Sequence, residues 1–290
     1  MVKPAAFDYV SASSVEHAVT VLAEAGDEAK LIAGGQSLIA MMNFRLARPT
    51  TLVDINRVAG LDGIEVADQS VVIGALVRHR RLELGGDVPG PLGRLLSSAG
   101  HHVGHLPIRT RGTFCGSIAH ADPASEWCVL AALLDAQMEC TSPRGRRLVP
   151  AQEFFITIFT TALEADEVLT AVHLPLLGDQ QHVGFEEFSR RAGDFAIVMA
   201  MSVIDVTDEV ITGARIAIGG VASLPVRATA AEATLLGQAP TGEAFAAAAE
   251  AAAAHVSPNG DVHGPAEFRV DLVRAMVRRS LTNSYAPGRG

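Results

Sequence analysis

Ile32-Ala33-Gly34-Gly35-Gln36-Ser37-Leu38 decides the reading of this chain, and Thr113-Phe114-Cys115-Gly116-Ser117 is its counterpart further on. Each stretch begins where an apolar or basic run stops. Residues without a Cβ let backbone N–H groups approach a phosphate closely, and neighbouring hydroxyls add donors. One such stretch is most often a turn. Two of them, each set against a strand or helix, form the halves of one anion grip able to hold the phosphates of a dinucleotide.

The surrounding sequence supplies that setting. Ser13-Ser14 caps an expected helix with apolar residues at Val15, Ala18, Val19 and Leu22. Leu31-Ile32-Ala33 reads as a short buried strand running into the first glycine stretch. A helix over Leu38 to Leu46 follows, and its N-terminus favours an anion. Thr51 to Ile55 and Ser70 to Gly74 read as strands, and Leu92 to Ala99 as a helix ended by Gly100. Arg109 and Arg111 precede the second stretch. Asp122-Pro123 then reads as a helix start, because Asp is a good N-cap and Pro suits the first helical position. Trp127, Leu130, Leu133 and Leu134 supply that helix's apolar face.

The character changes over Pro175 to Gln181, between the apolar runs Val168 to Leu174 and Val183 to Phe188, which places a domain boundary there. Beyond it, Ile197 to Val206 and Val210 to Ile218 read as an antiparallel hairpin joined by Thr207-Asp208-Glu209. Helices are expected over Ala228 to Leu236, Gly242 to His255 and Ala266 to Leu281.

Composition narrows the function. A length of 290 residues implies about two domains, and 49% hydrophobic with 19% charged residues is ample for buried cores. No apolar run reaches the roughly 18 residues of a membrane span, and Met1 to Tyr9 lacks the pattern of a signal peptide. The expectation is a cytoplasmic protein without a transmembrane segment. A net charge of −9 argues against a nucleic-acid partner, which needs a basic surface, but not against one small anionic ligand. Cys115, Cys128 and Cys140, with 12 and 11 residues between them, fit neither a zinc site nor an iron–sulfur cluster. His101-His102 and His105 place two imidazoles at i, i+4, yet Gly100, Gly104 and Pro107 oppose a helix and no carboxylate is near in sequence. Packing or loop histidines are the preferred reading there. G-x-G-x-x-G after a strand, a Gly-Lys-Ser/Thr loop and G-x-S-x-G are all absent.

At this point the residues resemble a known family. Ile32 to Leu38, followed by Met41-Met42-Asn43-Phe44-Arg45-Leu46-Ala47-Arg48-Pro49 and Leu52-Val53-Asp54-Ile55-Asn56, resembles the FAD-binding medium subunits of molybdenum hydroxylases, with carbon monoxide dehydrogenase and xanthine dehydrogenase as reference relatives. Ile108 to Pro123, ending in Ala119-His120-Ala121-Asp122-Pro123, is similar to that family's second flavin motif. Phe188 to Ala196 and Gly219-Gly220-Val221-Ala222 with Pro225-Val226-Arg227 resemble its C-terminal domain.

The resemblance implies an α+β protein. A two-subdomain FAD-binding fold of the vanillyl-alcohol-oxidase type would cover residues 1–176, with subdomains of about 1–56 and 57–176. A smaller α+β domain with an antiparallel sheet and helices would cover 180–290. FAD would be held by Ala33, Gly34, Gly35, Gln36, Ser37 and Leu38 and by Thr113, Cys115, Gly116 and Ser117. Val103 would lie by the adenine, Asp122 and Glu126 by sugar or ribityl hydroxyls, and Leu169 and Arg191 by the isoalloxazine. For Asp122, helix capping alone is the alternative role. Cys115 stands where the family usually has glycine, so a positive φ there would strain it.

The implied role is electron transfer. [2Fe-2S] clusters on a small partner subunit and a molybdenum cofactor on a large one would complete a complex, as a dimer of heterotrimers. A self-contained FAD-dependent reductase or oxidase, and a non-catalytic dinucleotide-binding assembly subunit, remain as alternatives.

Overall fold

The computed structural model describes residues 3–285, which build sheets of three, five and four strands and one two-stranded sheet, with helices between them. The first unit holds β1 (Asp8–Ser11), α1 (Val15–Ala25), β2 (Ala29–Ile32), α2 (Leu38–Asn43) and β3 (Thr51–Asp54). Its strands run parallel in the order β1-β3-β2. Ser14 Oγ caps α1 by accepting from the His17 N–H at 3.1 Å, and Ala18, Val19 and Leu22 form its buried face as the spacing predicts. The helix expected to reach Leu46 stops at Asn43. The chain leaves it through Phe44 and then Arg45 at φ 58, so Leu46 is exposed.

The second unit contains β4 (Ile64–Val66), β5 (Ser70–Gly74), α3 (His79–Leu84), α4 (Gly90–His102), α5 (Leu106–Arg109), α6 (Phe114–His120), α7 (Glu126–Leu133), β6 (Gln137–Ser142), β7 (Gly145–Pro150), α8 (Ala151–Phe154), β8 (Phe155–Thr157), β9 (Thr160–Thr161) and β10 (Val168–Pro175). β8 and β9 pair with each other. The other five strands form an antiparallel sheet ordered β4-β5-β10-β6-β7. Gly100 does not end α4, which continues to His102. A Cβ there would press on the Glu83 backbone at 3.0 Å, so the glycine serves the close approach of α3.

Two further expectations are corrected here. Asp122 does not cap α7: that helix starts at Glu126 with Ser125 at its N-cap, and Asp122 Oδ1 instead accepts from the Ala124 N–H at 2.9 Å in an Asx turn. The second glycine stretch is not a loop ahead of a helix. Thr113 is itself the N-cap of α6, with Oγ1 accepting from the Gly116 N–H at 3.0 Å.

The third unit is β11 (Gln181–Phe188), β12 (Val198–Thr207), β13 (Val210–Gly219), β14 (Val226–Arg227), α9 (Thr229–Leu235), α10 (Gly242–His255) and α11 (Ala266–Ser284). Its antiparallel sheet follows chain order, and the β12–β13 hairpin turns on Asp208 and Glu209, both at positive φ. β12 is apolar on both faces for a reason. Val198, Ala200 and Ile204 face the core built with α9, α10 and α11, whereas Met199, Met201 and Val203 face the core shared with the second unit. Helix α7 lies under that sheet and is buried on all sides, Trp127 to Ala131 and Leu133 being fully enclosed.

Candidate functional site

The first glycine stretch bridges the C-terminal end of β2 and the start of α2. Gly35 takes φ +70, a conformation costly for a residue with a Cβ. Gly34 rests on the second segment: a Cβ on it would collide with the Arg111 carbonyl oxygen and lie 2.6 Å from Gly112 Cα. The two stretches are thus in backbone contact. Among the described residues, no hydrogen bond is donated by the backbone N–H groups of Gly34, Gly35, Gln36, Ser37 or Leu38. Five successive peptide donors are thus left without protein acceptors and are free for an anionic ligand.

The second segment is fixed from below. The Phe114 N–H donates to Val77 O at 2.9 Å and the His79 N–H to Gly112 O at 3.1 Å, while Thr113 Oγ1 and Thr113 O take the N–H groups of Gly116 and Ser117. Among the described residues, the N–H groups of Thr113 and Cys115 have no acceptor. Cys115 lies inside α6 and outside the positive-φ residues, so a side chain is accommodated without strain. Its thiol is buried, donates to Ile73 O at 3.4 Å and is pushed far up in pKa by burial. Its peptide N–H has no acceptor among the described residues, and Cys115 lines the cavity.

Both stretches open onto one cavity of about 590 Å³, within the roughly 300–1,000 Å³ of cofactor clefts. Ala33, Gly34, Gly35, Gln36, Ser37 and Leu38 line it from one side, and Thr113, Cys115, Gly116 and Ser117 from the other. Val103 at the end of α4, Asp122, Glu126 and Leu169 on β10 complete the set of wall residues singled out by the sequence. Arg191 is not among the cavity walls. It is exposed in a turn, where its carbonyl accepts from the Ser189 hydroxyl and the Asp194 N–H, and Gly193, Asp194 and Phe195 of the same loop reach the cavity instead.

Arg109 and Arg111 do not present free guanidinium groups to the cavity. Arg109 pairs with Glu83 at 2.7 Å and donates to the Gly104 carbonyl at 2.6 Å, while exposed Arg111 lies outside the walls. The concavity depends on peptide dipoles. The three histidines have different neighbours: His101 lies 3.5 Å from Glu83 and edge-on to His102 with ring centroids 5.9 Å apart, His102 also packs edge-on against Phe185, and His105 sits where a Cβ on Gly193 would be 2.6 Å from its ring.

Two side chains of unusual protonation line the walls. Glu126, 6% exposed, has its pKa raised to about 8 by burial, then by the neighbouring charges of Glu187 and Asp122. Its carboxyl is a proton carrier and donor near neutral pH. His79 is held neutral, its pKa lowered to about 3 by burial and by Arg78 and Arg109. Trp127 Nε1–H donates to His79 Nδ1 at 2.9 Å, which leaves the ring proton on Nε2. His79 and the wall residues Phe159 to Thr161 were missed by the sequence reading. Phe159 reaches the wall through a backbone at φ 56 and stacks on His120 at 4.8 Å, which no local pattern announces.

Residues 5–177 match the family described as the FAD binding domain in molybdopterin dehydrogenase, and residues 184–284 match the CO dehydrogenase flavoprotein C-terminal domain. The chain is 42% identical to the 6-hydroxypseudooxynicotine dehydrogenase complex subunit alpha of Paenarthrobacter nicotinovorans, over 97% of this chain and 95% of that one. Its fold superposes with a TM-score of 0.93 on a chain of carbon monoxide dehydrogenase from Hydrogenophaga pseudoflava, at 38% identity over 98% of both chains. For quinoline 2-oxidoreductase from Pseudomonas putida 86 the TM-score is 0.90 at 36% identity, covering 97% of this chain and 98% of that one. The chain belongs to the FAD-binding medium subunits of the molybdenum hydroxylases.

Proposed function

We propose that the cavity is the FAD site and that the chain is the electron-transfer subunit of a molybdenum hydroxylase complex. The observation that carries the site assignment is the run of acceptor-free peptide N–H groups from Gly34 to Leu38, facing those of Thr113 and Cys115 across a backbone contact. A Cβ at Gly34 would press on the Arg111 carbonyl and one at Gly116 on Thr113 Oγ1, so both glycines serve close approach beside the cavity, which Val103 and Leu169 also line. These peptide donors hold the pyrophosphate, each charge-assisted hydrogen bond contributing roughly 1.5–3 kcal/mol. Val103 would border the adenine end, Asp122 would accept from a sugar or ribityl hydroxyl, and the protonated Glu126 would donate to one. Leu169 and the Gly193 to Phe195 loop border the ring end. Arg191, on the same loop but outside the cavity walls, is assigned no ring contact.

Bound there, FAD would supply the redox chemistry needed for electron transfer between [2Fe-2S] clusters on a partner and an external acceptor. The protein's part is to bind, orient and shield. Residues 1–176 form the flavin-holding domain and 180–290 the C-terminal domain, and the partners are a small iron–sulfur subunit and a large molybdenum-cofactor subunit, in a cytoplasmic dimer of heterotrimers. Among the described residues no helix is long and apolar enough to cross a membrane.

Purification of the native chain with its partners tests the proposal. The expected result is one FAD per chain, together with two further subunits carrying iron–sulfur and molybdenum. A chain that purifies alone and oxidises a substrate, or a folded complex without flavin absorption, would overturn it.

A further inference from the structure

The segments that flank the two cofactor stretches are held by one pair of side chains, neither of which lines the cavity. Asn56 follows β3, and Arg78 precedes α3 across the junction between the first two sheet units. Asn56 Nδ2 donates to Ala33 O at 2.7 Å and to Asp54 Oδ1 at 2.6 Å, and the Asn56 N–H donates to the same Oδ1 at 2.7 Å. Asn56 Oδ1 accepts from Arg78 NH2 at 2.7 Å, and Arg78 NH1 donates to the carbonyl of Arg111. Tyr9 closes the chain by donating its hydroxyl to the other oxygen of Asp54.

The carbonyls at the two ends matter. Ala33 O belongs to the residue before Gly34, and Arg111 O is the atom against which Gly34 packs. The amide of Asn56 has only one workable orientation. Turned over, it would set its oxygen against Ala33 O and Asp54, and its NH2 against a guanidinium. Arg78 spans both partners because its two terminal nitrogens diverge from one planar group, which an ammonium on a flexible stem does not reproduce.

We propose that Asn56 and Arg78 are positioning residues, a clasp joining Ala33 to Arg111 that sets the separation of the two peptide cradles and thereby the affinity for FAD. The inference rests on the flavin assignment made above. The clasp acts through backbone position and touches no cofactor atom.

The test is titration of FAD into the full-length chain stripped of flavin, followed by quenching of flavin fluorescence, for the wild type, Asn56→Ala, Arg78→Lys and the double variant. Melting of the flavin-free chains is followed alongside. Each single change is expected to weaken FAD by about tenfold, the worth of roughly one hydrogen bond to a charged group. The double variant should be no weaker than the worse single, because both changes open the same clasp. Flavin-free melting should change little, since Asn56 is exposed and Arg78 half-buried. Arg78→Lys keeps the positive charge, so wild-type affinity in that variant would mean that charge alone matters and would overturn the clasp. Unchanged affinity in Asn56→Ala, multiplicative losses in the double variant, or losses that merely track a fall in flavin-free melting would overturn it too. If the double variant does not fold, Arg78→Lys alone decides. Failure of the wild-type chain to bind FAD would instead reject the flavin assignment.

Discussion

Gly34 and Glu126 show how single residues set the chemistry of this site. At Gly34 the limiting neighbours are backbone atoms, the Arg111 carbonyl and Gly112 Cα, so they cannot swing aside as a side chain would. Gly34→Ala is therefore expected to force the two stretches apart and weaken FAD by at least about tenfold, more than one lost hydrogen bond, as read by flavin titration. Unchanged affinity would mean that the contact is unimportant. Glu126 affects stability through protons. Its carboxyl keeps a proton up to about pH 8 in the folded chain but loses it near the ordinary glutamate value of 4.5 when unfolded, so the folded state binds more protons between these values and stability falls as pH rises through that window. Glu187, raised to about 7 by burial, adds to the same slope. Melting temperatures of the wild type should therefore decline from about pH 5 to about pH 8 more steeply than those of Glu126→Gln, which keeps the hydrogen-bonding shape without a titrating proton. Parallel curves would reject the buried proton. Both residues stood out in the sequence, but Glu126 did so only by resemblance, since the burial that keeps it protonated is set by the tertiary fold.

Among the elements, legibility followed how far local pattern and tertiary demand agree. Helix α1 carries a Ser cap and apolar residues at helical spacing, and β12 and β13 are long apolar runs around a turn, so each was readable from its own residues. The β6–β7 hairpin went unread although Met138, Cys140 and Ser142 alternate inward, because its strands are polar on the outer face and Pro143-Arg144 is not one of the usual hairpin turns. Gly100 suggested a stop and instead marks helix packing, a distinction visible only once α3 is in place. The cradle was legible as composition but not as geometry: glycine and serine announced close backbone approach, while the identity of the second stretch as a helix start depends on pairing with Val77 to His79. That helix start makes a prediction. Thr113 Oγ1 caps α6 through the Gly116 N–H, so Thr113→Val, which keeps the shape but loses the acceptor, should cost about 1 kcal/mol and lower the melting temperature by a few degrees. It should weaken FAD as well, because the freed first turn carries the Cys115 N–H. A stability loss with flavin affinity untouched would separate the cap from the cradle.

At the scale of the whole molecule, the C-terminal sheet and the flavin-holding part share one core, which bears on how the protein unfolds. Met199, Met201 and Val203 of β12 enter the core of the second unit, and Gly219 is so close to α7 that a Cβ would lie 2.6 Å from Val129 Cγ2. Backbone ties reinforce the contact, with the Gly220 N–H donating to Pro123 O at 3.1 Å. Arg227 fastens the other end: its guanidinium donates to the Ala132 and Leu133 carbonyls at 3.2 and 3.4 Å, and pairs with Asp135 at 3.1 Å and Glu232 at 2.9 Å. It thereby serves carbonyls that α7 leaves unpaired at its C-terminus and joins them to α9. Two independent domains would melt separately, whereas a shared core predicts one cooperative transition for the full chain. Arg227→Ala should lower that transition by several degrees, since removing one member of a largely buried ion pair costs about 3 kcal/mol. Arg227 lies outside the cavity walls, so affinity for FAD should stay within about twofold, below 0.5 kcal/mol. Calorimetry of the wild type and variant, with flavin titration beside it, decides the matter. Two resolved transitions in the wild type would show that the sheet is a separately folding domain, and a large loss of flavin affinity in Arg227→Ala would show that α7 transmits its position to the cradle.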